Sequence, residues 1–438
     1  MKLQKGPEHW NRAKKIIPGG NQLLSKQSEQ FLPDYWPAYY RKAKGVEVWD
    51  LDNNHYFDMS IMGIGACPLG YADPDVDVAV KSRIDNGSMC TLNSPEEVEL
   101  AEKLIRLHPW AEQVRYARCG GEAMAIAVRI ARAYTKKDIV AFCGYHGWHD
   151  WYLAANLADD RNLDGHLLPG LAPAGVPRGL KGSSLPFQFN HTDELEVIAE
   201  KQNGKLAAIV MEPIRDHEPS PGFLQAVQKI ANDNDAVLIV DEVSSGFRLT
   251  MGGAHLLYGL KPDIVVFAKA MSNGYPMAAI IGKEKVMQSA QDTFISSTYW
   301  TEGIGPTAAL ATIEKYERCD VPNHLVETGA TVQEGWRCAA EDTGIDIEIG
   351  GIPPLSHFSV SGEEGQLIQT VFTQLMLERG FLAGKSFYAC YAHQSEHVQG
   401  YLENTVEVFE QIAKELKNGT LRKILKGSIV SSGFKRLT

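Results

Sequence analysis

From about residue 95 onward, short apolar runs (VRYA, IVAFC, LAAIVM, VLIVD, IVVFA, AAIIG) are separated by stretches with helical spacing, at Pro95 to Leu107, Glu122 to Tyr134 and Phe223 to Asn232. Strands this continuously apolar are buried on both faces. Helices between them supply the crossovers that parallel strands require. The alternation therefore predicts an α/β domain with a largely parallel sheet. Before it, VEVWDLDNNHYFDM alternates apolar and polar residues around an Asp-Asn-Asn turn and reads as a β-hairpin. After Thr307, a helix over Ala308 to Cys319 leads to amphipathic helices and short strands, including LSHFSV and YACYAH. The expected organisation is an N-terminal segment with the hairpin over 1–60, a large domain over 61–307 and a smaller α+β domain over 308–438. Residues 144–190 are rich in Gly and Pro and read as a long surface excursion bordering a site.

The 438 residues carry a net charge of -11, which disfavours nucleic acid or an anionic membrane as the main partner and suits a small molecule. No run of about 18 apolar residues is present, and the N-terminus lacks the apolar core of a signal peptide, so a soluble, cytoplasmic protein is expected. The seven cysteines show no CxxC spacing and suggest neither a disulfide framework nor a zinc site.

Two apolar runs end on charges: VLIVD on Asp241, and PDIVVFAKAM on Lys269. A buried carboxylate and a buried lysine each need a partner. Pyridoxal 5'-phosphate (PLP) would serve both, through its aldehyde and its ring nitrogen; a structural ion pair or two exposed strand ends would serve as well. In RCGGEAMAIAVRIARAY, Gly120 and Gly121 open a helix whose free N–H groups favour a phosphate, although a plain turn has the same composition. Neither a Walker loop nor a dinucleotide fingerprint is present. Tyr145, at the end of IVAFC, is placed to stack on a planar ring. His146, His149 and Asp150 follow closely, but a loop HxxH has no fixed ligand geometry, and His146 reads equally as a hydrogen bonder behind the site. Glu212 ends LAAIVM at the ligand-binding edge of such a sheet. Arg215 could hold a substrate carboxylate or a salt bridge within its loop.

Taken together, Cys119-Gly-Gly-Glu-Ala, Tyr145-His-Gly, Glu212-Pro-Ile, Asp241-Glu-Val-Ser-Ser-Gly-Phe-Arg and Lys269-Ala-Met-Ser-Asn-Gly-Tyr-Pro resemble, in order and spacing, the class III (fold type I) PLP-dependent aminotransferases. The subgroup most resembled is the glutamate-1-semialdehyde aminomutase-like enzymes, and the resemblance covers nearly the whole chain. It implies a large domain with a mostly parallel, seven-stranded-type sheet and a smaller α+β domain. It also implies roles. Lys269 would bond the cofactor aldehyde and later move a proton, and Asp241 would keep the ring nitrogen protonated. Val243 and Tyr145 would pack on the two ring faces, and Ser244 would reach the phenolic oxygen. Gly120 and Gly121 would bind the phosphate, with His146 and Glu212 completing the cofactor site. A threonine of the partner subunit, Thr298 by its T-x-x-x-E pattern or else Thr301, would also bind the phosphate, making a homodimer the minimal unit.

The chain departs from that pattern in three places, one of them GFLAGKSFYACYAH, which is shorter and more polar than the family's usual run before Ala-His. The phosphate turn, usually Ser-Gly-Thr or Ser-Gly-Ser, is Cys119-Gly120-Gly121, so both hydroxyl donors are missing. Lys26 stands where the aminomutases carry a carboxylate-binding arginine and cannot make the bidentate fork. The expected activity is amino transfer from an amino acid donor to an aldehyde or ketone acceptor, sugar-like or from secondary metabolism. The alternatives are an intramolecular aminomutase, a PLP-binding protein without turnover, and a metal hydrolase built on HGWHD.

Overall fold

The computed structural model describes residues 3–166, 170–214 and 216–430. The chain divides into two units, Pro74–Pro322 in one and Met1–Asp73 with Asn323–Thr438 in the other. These divisions fall beyond the expected 60 and 307. One reason is that the helix Ile304–Cys319 packs on the helices Pro74–Asp85 and Glu96–Leu107, which keeps it with the larger unit.

The larger unit is built on a seven-stranded sheet. Its strands are β1 (Gln113–Ala117), β2 (Ile139–Cys143), β3 (Ser184–Pro186), β4 (Leu206–Met211), β5 (Val237–Asp241), β6 (Ile264–Phe267) and β7 (Ala278–Gly282). Their spatial order is β1-β7-β6-β5-β4-β2-β3. Only β7 runs antiparallel to its neighbours; every other neighbouring pair is parallel. Strands β4 to β7 are buried at every residue, which is why they read as unbroken apolar runs rather than alternating ones. The C-terminal ends of β1, β2, β4, β5 and β6 lie along one edge, where open α/β sheets bind ligands.

β3 was not legible as a strand. It lies in the Gly- and Pro-rich stretch 144–190, which is less of a surface excursion than expected: Trp151, Tyr152, Leu163, Ser184 and Phe187 are all buried. Three residues are too few to show a period, and β3 exists because β2 offers it a free edge.

Helix α1 (Gly120–Thr135) covers the sheet with Met124, Ile126, Val128 and Ile130, each contributing roughly 1.5–3 kcal/mol by burial. It stops at Lys136, in the left-handed region at φ 56°, whose N–H returns to the Arg132 carbonyl.

In the other unit the expected hairpin forms between Glu47–Asp50 and His55–Asp58. Asp50 organises its turn, with Oδ1 accepting the N–H groups of Asp52 and Asn54 at 2.9 and 2.8 Å. Phe381–Leu382, from far along the chain, adds a parallel strand to it. A three-stranded antiparallel sheet joins Ile347–Gly350, Leu355–Val360 and Ser386–Tyr388. The segment YACYAH is strand only at its start. Beyond it the chain turns at Cys390–His393, where His393 Nδ1 accepts the Cys390 N–H at 3.0 Å. Among the described residues no helix is long and apolar enough to cross a membrane.

Candidate active site

β5 delivers Asp241 to the sheet edge, where it is only 3% exposed. Oδ1 accepts the N–H of Val243 at 2.9 Å, and Oδ2 lies 2.8 Å from His146 Nδ1. The other ring nitrogen, Nε2, is 3.0 Å from the Cys143 carbonyl. A carbonyl can only accept, so Nε2 carries a hydrogen and Nδ1 shares a proton with Asp241. His146 thus steadies the carboxylate from behind, although it lies in another loop 95 residues away.

β2 continues into Gly144 and Tyr145. The N–H of Tyr145 is held by Glu212 Oε2 at 3.1 Å, just beyond the end of β4. Both glycines of this loop are forced. A Cβ at Gly144 would meet Glu212 Oε2 at 2.6 Å, and one at Gly147 would meet the Gly121 Cα at 2.8 Å. Their φ angles, 111° and 100°, suit glycine alone.

At the end of β1, Gly120 and Gly121 start α1, leaving first-turn N–H groups with no intrahelical acceptor. A Cβ at Gly120 would lie 2.7 Å from Val243 Cγ1, so this turn and the turn after β5 are in direct contact. After β6, Lys269 sits in the left-handed region at φ 44°, a strain of the kind that collects at functional sites. Its Nζ donates to Ser244 Oγ at 2.9 Å. One edge therefore gathers Gly120, Gly121, Tyr145, His146, Glu212, Asp241, Val243, Ser244 and Lys269. Tyr145 and Val243 are half-buried, each with a face on the core beneath.

The remaining candidates are placed differently. Thr298 and Thr301 are exposed and form a single 3₁₀ turn in which the Thr301 hydroxyl bonds the Thr298 carbonyl at 3.0 Å. Lys26 belongs to the other unit, where its charge acts on buried Asp58, whose carboxyl burial pushes upward. Arg215 lies outside the described residues. No group of three or more His, Cys, Asp or Glu among the described residues is arranged to hold a metal ion; in HGWHD, His146 is already engaged by Asp241 and Cys143.

Two supports had no signal in the sequence. Arg118, just before the Gly-Gly turn, donates through Nη2 to the carbonyls of Trp300 and Glu302 at 2.9 and 3.0 Å and pairs with the Glu302 carboxylate at 2.8 Å. Glu302 in turn accepts the N–H groups of Ile304 and Gly305 at the start of the helix Ile304–Cys319. The Gly120–Gly121 turn and the 298–302 segment are thereby locked together within one chain. Second, fully buried Glu242 accepts both the N–H and the ring Nδ1–H of His255, at 2.8 and 2.9 Å, and the Ser245 hydroxyl. Trp110 fixes that tautomer by donating to His255 Nε2 at 3.1 Å. This network anchors the turn that carries Val243 and Ser244.

The set fits PLP: an amine on Lys269, a buried carboxylate already steadied by two groups, and a helix start where only glycine clears Val243.

Residues 32–349 match the family model for class-III aminotransferases. The chain is 32% identical over 430 residues to the 3-aminobutyryl-CoA aminotransferase of Cloacimonas acidaminovorans, covering 95% of this chain and 98% of that one. It is also 32% identical over 437 residues to the glutamate-1-semialdehyde 2,1-aminomutase of Methanothermobacter thermautotrophicus, covering 94% and 100%. The crystal structure of an omega-transaminase from Sphaerobacter thermophilus has the same fold, with a TM-score of 0.83 at 23% identity over 94% of this chain and 98% of that one. The architecture is that of the fold type I PLP-dependent transferases.

Proposed function

The chain belongs to the class-III aminotransferase family, and from that premise we propose that it takes an amino group from an amino acid and delivers it to a separate aldehyde or ketone acceptor, working as a cytoplasmic homodimer with PLP. The observation that carries this reading is the juxtaposition at the sheet edge of the Lys269 amine, 2.9 Å from Ser244, with the His146–Asp241 pair. When bound, PLP supplies the electron sink that makes a proton on the amino-bearing carbon labile.

The chain's own residues do the rest. Asp241, shielded from water, keeps a negative charge where the ring nitrogen's proton would lie. His146 and the Val243 N–H hold that carboxylate in one orientation, so little reorganisation accompanies the chemistry. Ser244 orients the Lys269 amine, which would take the substrate proton and return it on the far side of the intervening nitrogen. Val243 and Tyr145 would cover the ring faces and exclude water. Gly120 and Gly121 would hold the phosphate through backbone N–H groups, and Thr298 of the partner subunit would add a hydroxyl. Exposed Trp148, Phe294 and Tyr299, the last next to Thr298 in sequence, support a second copy against this face.

Intermolecular transfer is favoured over the intramolecular aminomutase reaction by the sequence, which has a lysine at position 26 where the aminomutases carry a carboxylate-binding arginine. A lysine cannot make the bidentate fork with a carboxylate, and Arg215 is a further candidate for a donor carboxylate. The acceptor is taken to be a small carbonyl compound, sugar-like or from a secondary pathway. The test is single-turnover incubation of the purified protein with a panel of amino acids and no acceptor. An aminotransferase releases one keto acid per active site as the cofactor absorbance shifts. An aminomutase isomerises its own substrate without releasing a keto acid.

A further inference from the structure

The phosphate end of this site is short of side-chain donors. Cys119 and Gly121 flank Gly120 where hydroxyl-bearing residues are usual, and Cys119 makes no side-chain bond at the head of α1. Beside the turn, His149 Nδ1 is buried and has no hydrogen-bond partner among the described residues. A buried ring nitrogen in that condition calls for a partner. Its position is specific: a Cβ built on Gly121 would lie 3.4 Å from Nδ1 and 3.6 Å from Cε1 of His149. The ring therefore lies within contact distance of the first position a side chain at 121 would take. Trp148 stacks on it with centroids 4.5 Å apart, which limits its rotation.

We propose that His149 is the side-chain donor to the cofactor phosphate, replacing the hydroxyls that Cys119 and Gly121 lack. The ring lies beside the helix start, and from there an Nδ1–H adds to the N–H groups of the first turn of α1. This role rests on the reading that the Gly120–Gly121 turn holds the phosphate.

The test uses the full chain as the Lys269→Ala apoprotein, in which ligand binding is reversible, with PLP and pyridoxal titrated in parallel by absorbance. His149→Ala is expected to weaken PLP about ten- to a hundred-fold, the range for a hydrogen bond to a charged group, while changing pyridoxal by less than about twofold. His149→Gln, which keeps an N–H donor, is expected to retain most of the affinity and so separates loss of the donor from loss of folding. Adding Gly121→Thr to His149→Ala returns a hydroxyl to the vacated space and is expected to recover PLP binding by about fivefold or more. Equal losses for both ligands, or no loss for either, overturn the role of His149. Cys119→Asp tests the underlying reading, because a carboxylate at the turn repels a phosphate there and leaves pyridoxal alone. If Cys119→Asp affects neither ligand, the phosphate lies elsewhere and both readings fall. If it weakens PLP alone while His149→Ala does not, only the role of His149 falls.

Discussion

Replacing Gly120 by alanine tests whether the turn that starts α1 and the turn after β5 act as one packed piece. The added Cβ would lie 2.7 Å from Val243 Cγ1 and 3.0 Å from Cγ2. Carbon atoms rest about 3.5–4.0 Å apart, so the methyl overlaps two others and one backbone must retreat by roughly 1 Å. Val243 has little freedom to yield. It is β-branched, and its N–H is tied to Asp241 Oδ1 at 2.9 Å. Overpacking of this kind costs about 1–3 kcal/mol, and alanine recovers under about 1 kcal/mol of helix propensity at a first-turn position. The expected net loss is about 1–2 kcal/mol in urea denaturation of the apoprotein, with PLP affinity lowered about tenfold because Asp241 or the phosphate turn is displaced. Val243→Ala removes both colliding methyls, so the double variant should show a favourable coupling of about 1 kcal/mol. A Gly120→Ala protein with wild-type stability and affinity, or a double variant whose losses simply add, would refute the reasoning.

Four further outcomes are expected. Lys269→Ala should abolish turnover and borohydride fixation of the cofactor while still binding PLP reversibly; fixation at another lysine, seen by peptide mapping, would count against the assignment. Burial lowers the pKa of both His108 and His393 to about 4, so between that value and the unfolded value near 6.5 the unfolded chain binds more protons. Stability should hold above about pH 6.5 and fall as pH drops toward 4, by at most about 3 kcal/mol per pH unit for the two together; a flat urea midpoint from pH 7 to pH 5 would contradict this. Arg118→Met should leave the Glu302 carboxylate uncompensated and cost about 2–3 kcal/mol, with faster amide exchange over 298–302; unchanged exchange there would show that the pair holds nothing. Lys136→Gly removes a side chain from an exposed left-handed helix end and should raise stability by about 0.5–1 kcal/mol, read as a higher midpoint in thermal unfolding.

Much of the fold was legible because burial on both faces leaves a plain mark. β2 and β4 to β7 are unbroken apolar runs, and the helices between them carry helical spacing. Asp241 and Lys269 stood out because charges at the ends of such runs conflict with their surroundings. The unit boundaries were less legible, since the Ile304–Cys319 helix reads the same whichever unit it packs on. β3 left no mark at all, because a three-residue edge strand is defined by its neighbour.

Local sequence thus carried the sheet, its helices and the residues at the strand ends, because periodicity and burial act over a few residues at a time. The pairings that give those residues a task act across space and were decided only by the folded chain. His146 reaches Asp241 from another loop, Gly120 is a glycine because Val243 stands against it, and Arg118 ties its turn to a segment far along the chain. The same holds for His149. In HGWHD it is one of several polar residues without a fixed ligand geometry; seated against Gly121 with a buried, unmatched nitrogen, it becomes a candidate for binding phosphate.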